Sequence, residues 1–279
     1  MGSADPASAT AVAQALDFLR GAPTRAPLTL TPDRETPPGL AGWHPVDRLT
    51  DAPFVGQVAG AYSAGLGTRH LAVGGACGLQ HYAGRFVLAA LGVWVQTGCL
   101  PDLDHGAWRV KLDAQGHTLS VAPPVAGAGR PVDAEDAAAA VVGDHLGPII
   151  AATRAATRIT ERVAHGCIAA SCSGTFATLH RRTAPERQTI VAGLADRFMA
   201  APAWRADRPL VDLREVEVVT GPALVHERHV CCLIRLGRDH GACGTCPDID
   251  PDERRRRTTH HAIVARRGTD LPLGAIHVA

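Results

Sequence analysis

Aromatic residues are scarce in this chain of 279 residues, at 4% of positions, and lysine is reduced to one, Lys111. Few aromatic rings leave few platforms for stacked bases, and 28 basic against 27 acidic side chains give a net charge of +1. Neither feature marks the chain for nucleic acid or an anionic membrane surface. Long hydrophobic runs are also lacking. The longest apolar stretch, from Phe86 to Leu100, is broken by Gln96 and falls short of the roughly 20 residues that span a bilayer, so it reads as a buried helix. The opening MGSADPASAT has neither the basic nor the apolar region of a secretory signal, and a cytoplasmic protein without a transmembrane segment is expected. The dinucleotide fingerprint fails as well, because His70 stands where Gly65-Leu-Gly67 would need its third glycine. His226-Glu-Arg-His229 is one residue short of the zinc-protease motif, and a strand would turn its two histidines to opposite faces.

What is present is enough for a core: 46% of residues are apolar. Residues 1–45 carry many prolines and read as a loosely structured lead-in with one short helix before Gly21. Leu49, Phe54, Val58 and Tyr62 recur at helical spacing in a body expected over residues 46–222. Alternating residues on either side of Asp113-Ala-Gln-Gly116 predict a β-hairpin within that body. Asp133 is placed to cap the Ala-rich helix that follows, and helices continue to about Ala201 with a break at Ala184-Pro185. A second hairpin is expected around Thr220-Gly-Pro, feeding the segment 223–250; residues 251–279 form a tail. The fold class expected is α+β, mostly helical, with two small hairpins.

Eight cysteines are present, and four of them fall in the pattern CC-x10-CxxC: Cys231, Cys232, Cys243 and Cys246. Finding three partners at fixed offsets from one cysteine by chance has a probability on the order of one in 10⁴ to 10⁵. Without an export signal, and in a chain this long, ligation is favoured over disulfides. Four thiolates can hold a [2Fe–2S] cluster, and the glycines of Gly237-Arg-Asp-His-Gly-Ala would let backbone amides face its sulfides. Three readings compete: structural zinc, a thioredoxin-type pair at Cys243 and Cys246, and four unrelated thiols. Adjacent cysteines strain a single tetrahedral ion, whereas two irons accommodate them. Cys77, Cys99, Cys167 and Cys172 lie in apolar, helix-like surroundings and read as core.

At these residues the chain resembles the FhuF-type ferric siderophore reductases, whose hallmark is the same CC-x10-CxxC. Arg228 before the pair and the Cys243-Gly-Thr-Cys246-Pro ending add to the likeness, as do Asp144-His-Leu-Gly-Pro and Ser171-Cys-Ser-Gly more weakly. The resemblance implies a [2Fe–2S] cluster on all four cysteines and reduction of a ferric siderophore, of hydroxamate type, by electrons from an external donor such as a ferredoxin. The family often stops soon after its last cysteine, whereas here some thirty residues follow, including Arg254 to Arg257.

Adding an electron to Fe(III) weakens its bonds to hard anionic oxygens, so reduction would release the metal. Arg228, Arg235 and Arg238 are candidates for tuning the cluster and attracting an anionic complex, with pairing to Asp239 or Glu227 as the bland alternative. His229 and His240 are expected to support the ligands. The run from Arg254 to Arg257 reads as a solvated helical turn, and Trp94 and Trp108 as core. A zinc-stabilised binding module and a [2Fe–2S] redox sensor without reductase activity are the alternatives.

Overall fold

The structure, a computed structural model, describes residues 6–21, 28–29, 32, 38–124, 129–219, 221–238 and 240–266. Helix α1 (Pro6–Gly21) precedes a short strand β1 (Gly42–Pro45) and a 3-10 turn. Two helices follow, α2 (Ala52–Gly65) and α3 (Leu71–Thr97). Asp51 starts α2 by accepting the Phe54 N–H at 3.3 Å, and Gly98, at φ 71°, ends α3. α3 is the centre of the molecule. Side chains on all sides of its second half are buried, including Phe86, Leu91, Val93 and Trp94, because α1, α2 and two later helices surround it. No helix among the described residues is long and apolar enough to cross a membrane.

Strand β2 (Cys99–Leu100), the hairpin β3 (Arg109–Leu112) and β4 (Thr118–Ala122), and strand β5 (Arg130–Pro131) lie beyond α3. The expected first hairpin forms, with Val110 opposite Val121, but β1 adds a third strand to it by pairing with β3. β2 pairs with β5 in a two-stranded sheet that places Cys99 on a strand, not in the helical setting expected for it. Asp133 caps α4 (Ala134–Ala138) by accepting the Asp136 N–H at 2.8 Å. A π-helical turn (Ala139–His145) leads into α5 (Leu146–Thr157).

Helix α6 (Glu161–Arg182) is capped by Thr160, and α7 (Gln188–Ala200) follows the expected break. Strands β6 (Val211–Val218) and β7 (Gly221–Arg228) form the last hairpin, with Glu215 opposite Leu224. The fold is α+β, mostly helical with small antiparallel sheets. The expected boundary at 222/223 falls inside this hairpin, and β7 lies directly on α6. Val230 and Cys232 belong to the same core as α3 and α6, so the cysteine segment packs as part of the body. Helix α8 (Pro251–Arg266) then returns over β7, with Ala262 packed against Ala223 and Val225.

Candidate metal centre

β7 delivers the first cysteine pair. Its end is held by α6, which approaches so closely that a Cβ on Gly166 would lie 2.5 Å from Val230 Cβ. Cys231 and Cys232 follow, and the chain turns sharply at Leu233, whose φ of 65° is in the left-handed region that a leucine seldom occupies. That turn aims the Leu233 N–H at Cys231 Sγ, 3.3 Å away. The Ile234 N–H donates to Cys232, and the Asp248 N–H to Cys246. The amides facing the sulfurs of Cys231, Cys232 and Cys246 therefore each come from two residues further along the chain. The expected glycine loop does not provide them among the described residues.

The four thiols converge as two pairs. Cys231 Sγ lies 4.0 Å from Cys246 Sγ, and the Cys232 and Cys243 thiols hydrogen-bond each other. Contact with Cys232 and burial push the Cys243 thiol up; burial and the neighbouring cysteines hold Cys246 at about 11. Cys232 is lowered by Cys243 but raised on balance by Cys77 and burial. As free thiols Cys232, Cys243 and Cys246 resist ionisation, through their contacts with other thiols and their burial. A metal reverses it.

Arg228 sits beneath the thiols and not on the surface. At 2% exposure it cannot touch a ligand arriving from solvent, which corrects its expected role in binding substrate. Its Nε donates to Val230 O at 3.1 Å and one Nη donates to Gln80 Oε1 at 2.9 Å, while Nη2 is buried with no hydrogen-bond partner. Burial works against its charge, but the sulfurs of Cys167, Cys232 and Cys243 outweigh this and raise its pKa. A buried guanidinium beside the sulfurs of Cys167, Cys232 and Cys243 is suited to an anionic cluster. The donor set and this cation fit a [2Fe–2S] group.

Arg235 is exposed and pairs with Asp248 at 2.6 Å, not with Glu227. Asp239 lies outside the described residues. Arg238 is exposed; its N–H donates to Leu66 O at 2.8 Å and its side chain packs on Gly67. His229 turns away to Asp212, at 2.9 Å, and His240 is exposed beside Gly237. Glu227 is buried between Arg214 at 2.6 Å and Arg254 at 3.1 Å.

Some functional neighbours gave no signal in the sequence. Cys77 is buried as expected, yet its Sγ donates to Cys232 O at 3.5 Å, so it borders the centre. Burial pushes Cys167 up to about 12, close enough to Arg228 to share its field. Asp248 groups with Cys231 and Cys246, their ligand atoms all within 4.8 Å. In the tail, Arg254 is not part of a solvated turn: besides Glu227 it donates to Cys246 O at 3.4 Å, tying α8 to the last cysteine. Arg255, Arg256 and Arg257 do lie exposed and pair with Asp252 and Glu253. Trp94 and Trp108 are core residues. Compared with models of known protein families and with curated proteins, the chain finds no match.

Proposed function

We propose that Cys231, Cys232, Cys243 and Cys246 hold a [2Fe–2S] cluster and that the protein is a ferric siderophore reductase. One observation carries this reading: each member of the vicinal pair is partnered with a different member of the CxxC, Cys231 with Cys246 and Cys232 with Cys243. Two pairs suit two irons; one tetrahedral ion would need all four sulfurs around a single point. The resemblance to the FhuF-type reductases at these residues supports the same reading.

Held by these four cysteines, the cluster would supply one-electron transfer between an external donor of ferredoxin type and Fe(III), which would become Fe(II). The chain's own residues prepare this. The Leu233, Ile234 and Asp248 amides point at thiolate sulfurs, and the Arg228 cation offsets their charge; both favour the reduced state. Arg238 puts positive charge on the exposed side, where an anionic partner approaches, whereas Arg235 is compensated by Asp248. Cytoplasmic action, with Fe(II) released there, belongs to the same reading.

Protein purified without oxygen should be reddish-brown and contain two irons and two acid-labile sulfides per chain. Chemically reduced protein mixed with a ferric chelate should then colour a ferrous-specific chelator. A cluster without any ferrous signal across several chelates would point to a redox sensor. The second reading is a zinc module, favoured by Cys231, Cys246 and Asp248 lying within 4.8 Å of one another. Colourless protein with one zinc would establish it and overturn the reductase.

A further inference from the structure

A cleft of about 560 Å³ opens beside the metal centre, between α6, β7 and α8. Its size is that of a small-molecule site, roughly 300 to 1,000 Å³. One wall is the Gly244-Thr245 turn, the two residues between the last pair of cysteines. Thr245 Oγ1 lies 3.8 Å from Cys243 Sγ, so a molecule seated in the cleft is separated from a cluster ligand by one side chain. A second wall is α8, whose Arg257 lies against Gly244.

The lining is basic. Arg181, Arg257, His226, His260 and His261 face the cleft, and no Asp or Glu lines it among the described residues. Arg257 is partnered on its outer side by Glu253 at 2.6 Å. Arg181, half-buried on α6, donates to Thr178 Oγ1 at 3.2 Å and has no carboxylate partner among the described residues. Burial, with Arg182 nearby, lowers it to about 10, the response of a guanidinium that lacks a counterion. α8 is locked in place by the Arg254 contacts to Glu227 and Cys246 O, so this wall is built before any ligand arrives.

We propose that this cleft binds an anionic, oxygen-rich metal chelate, of catecholate or carboxylate type, with Arg181 and Arg257 as the groups that recognise its charge. A neutral hydroxamate complex, the substrate suggested by the resemblance, would leave the Arg181 guanidinium without a counterion. That the bound chelate is also the one reduced rests on the reductase reading; the binding itself does not.

Redox-inert gallium(III) separates the two. The full-length protein is titrated calorimetrically with the gallium complex of a hexadentate tris-catecholate and with that of a hexadentate tris-hydroxamate. The catecholate complex should bind at least tenfold tighter, and its affinity should fall as salt is added. Arg181→Gln and Arg257→Gln should each weaken it about tenfold, and Arg257→Lys should retain most of the affinity. Arg257 is exposed, so its variants report even if Arg181→Gln misfolds. Equal affinity for the two complexes, or catecholate binding unchanged in Arg257→Gln, would overturn the assignment. Iron and sulfide analysis of the same preparations tests the cluster independently. Selective gallium-chelate binding by a protein without iron would keep the cleft and remove the reductase; a cluster without binding would do the reverse.

Discussion

Arg228 is the residue on which the centre's electrostatics turn, because it is a full positive charge with 2% exposure beside three cysteine sulfurs. One unit charge at about 7 Å and an effective dielectric near 20 is worth about 2 kcal/mol, which for a single electron is roughly 100 mV. Arg228→Gln should therefore lower the cluster potential by about that amount, read by anaerobic potentiometric titration. Arg228→Lys keeps the charge and should recover most of it; equal losses in both variants would assign the effect to packing. The cysteines divide in the same way. Cys232→Ala should lose iron and acid-labile sulfide, while Cys77→Ala should retain both, since Cys77 borders the centre through Cys232 and lies outside the four-cysteine pattern. Loss of both in Cys77→Ala would make it a ligand.

Among the elements, α6 and α8 hold the cysteine segment from two sides. α6 acts by close approach at Gly166. Alanine there would gain about 1 kcal/mol of helix propensity but would place its Cβ 2.5 Å from that of a β-branched valine. Overpacking of this kind costs about 1–3 kcal/mol, and Val230 has little rotamer freedom with which to yield. Gly166→Ala should lower the melting temperature and reduce cluster content, by thermal denaturation and visible absorbance. α8 acts through charge. Burial pushes the Glu227 carboxyl up, but its hydrogen bonds to Arg214 and Arg254 outweigh this and leave it below the ordinary value. Its contribution is thus present at neutral pH and lost only in strong acid. Glu227→Gln leaves a largely buried Arg254 unpaired at a cost of about 3 kcal/mol, so amide exchange over 251–262 should quicken at pH 7. Unchanged exchange would show that Ala262 and its apolar contacts hold the helix alone.

For the whole molecule, buried histidines set the acid limit. Burial lowers His81 and His226 to about 4 and His145 to about 3, against an ordinary 6.5. Unfolded rings take up a proton near 6.5 and the native rings do not, so stability is full above that value and declines as pH falls below it. Holding one such ring neutral at pH 5 costs roughly 2 kcal/mol, or a few °C in a chain of this size. The melting temperature should drop by more than that single-ring amount between pH 7.5 and pH 5, with iron content checked at each point. A flat profile would mean that the rings are hydrated in the native state.

Local pattern carried much of the architecture. Asp133 caps its helix by a short-range hydrogen bond, and the spacing of Phe54, Val58 and Tyr62 marks one buried face of α2. The hairpins at 109–122 and 211–228 are equally local, since alternation and turn residues suffice to specify them. β1, β2 and β5 were not legible: strands of two to four residues have too few positions to show a period, and their partners are distant in sequence. The four-cysteine constellation was visible for the same reason that the hairpins were, because its members lie within sixteen residues. By itself the sequence determined which side chains offer sulfur. The tertiary structure alone decided how they pair, that Arg228 lies beneath them, and that α8 closes a basic cleft beside them. Burial and long-range approach depend on where α3, α6 and β7 meet, and no local spacing encodes that meeting.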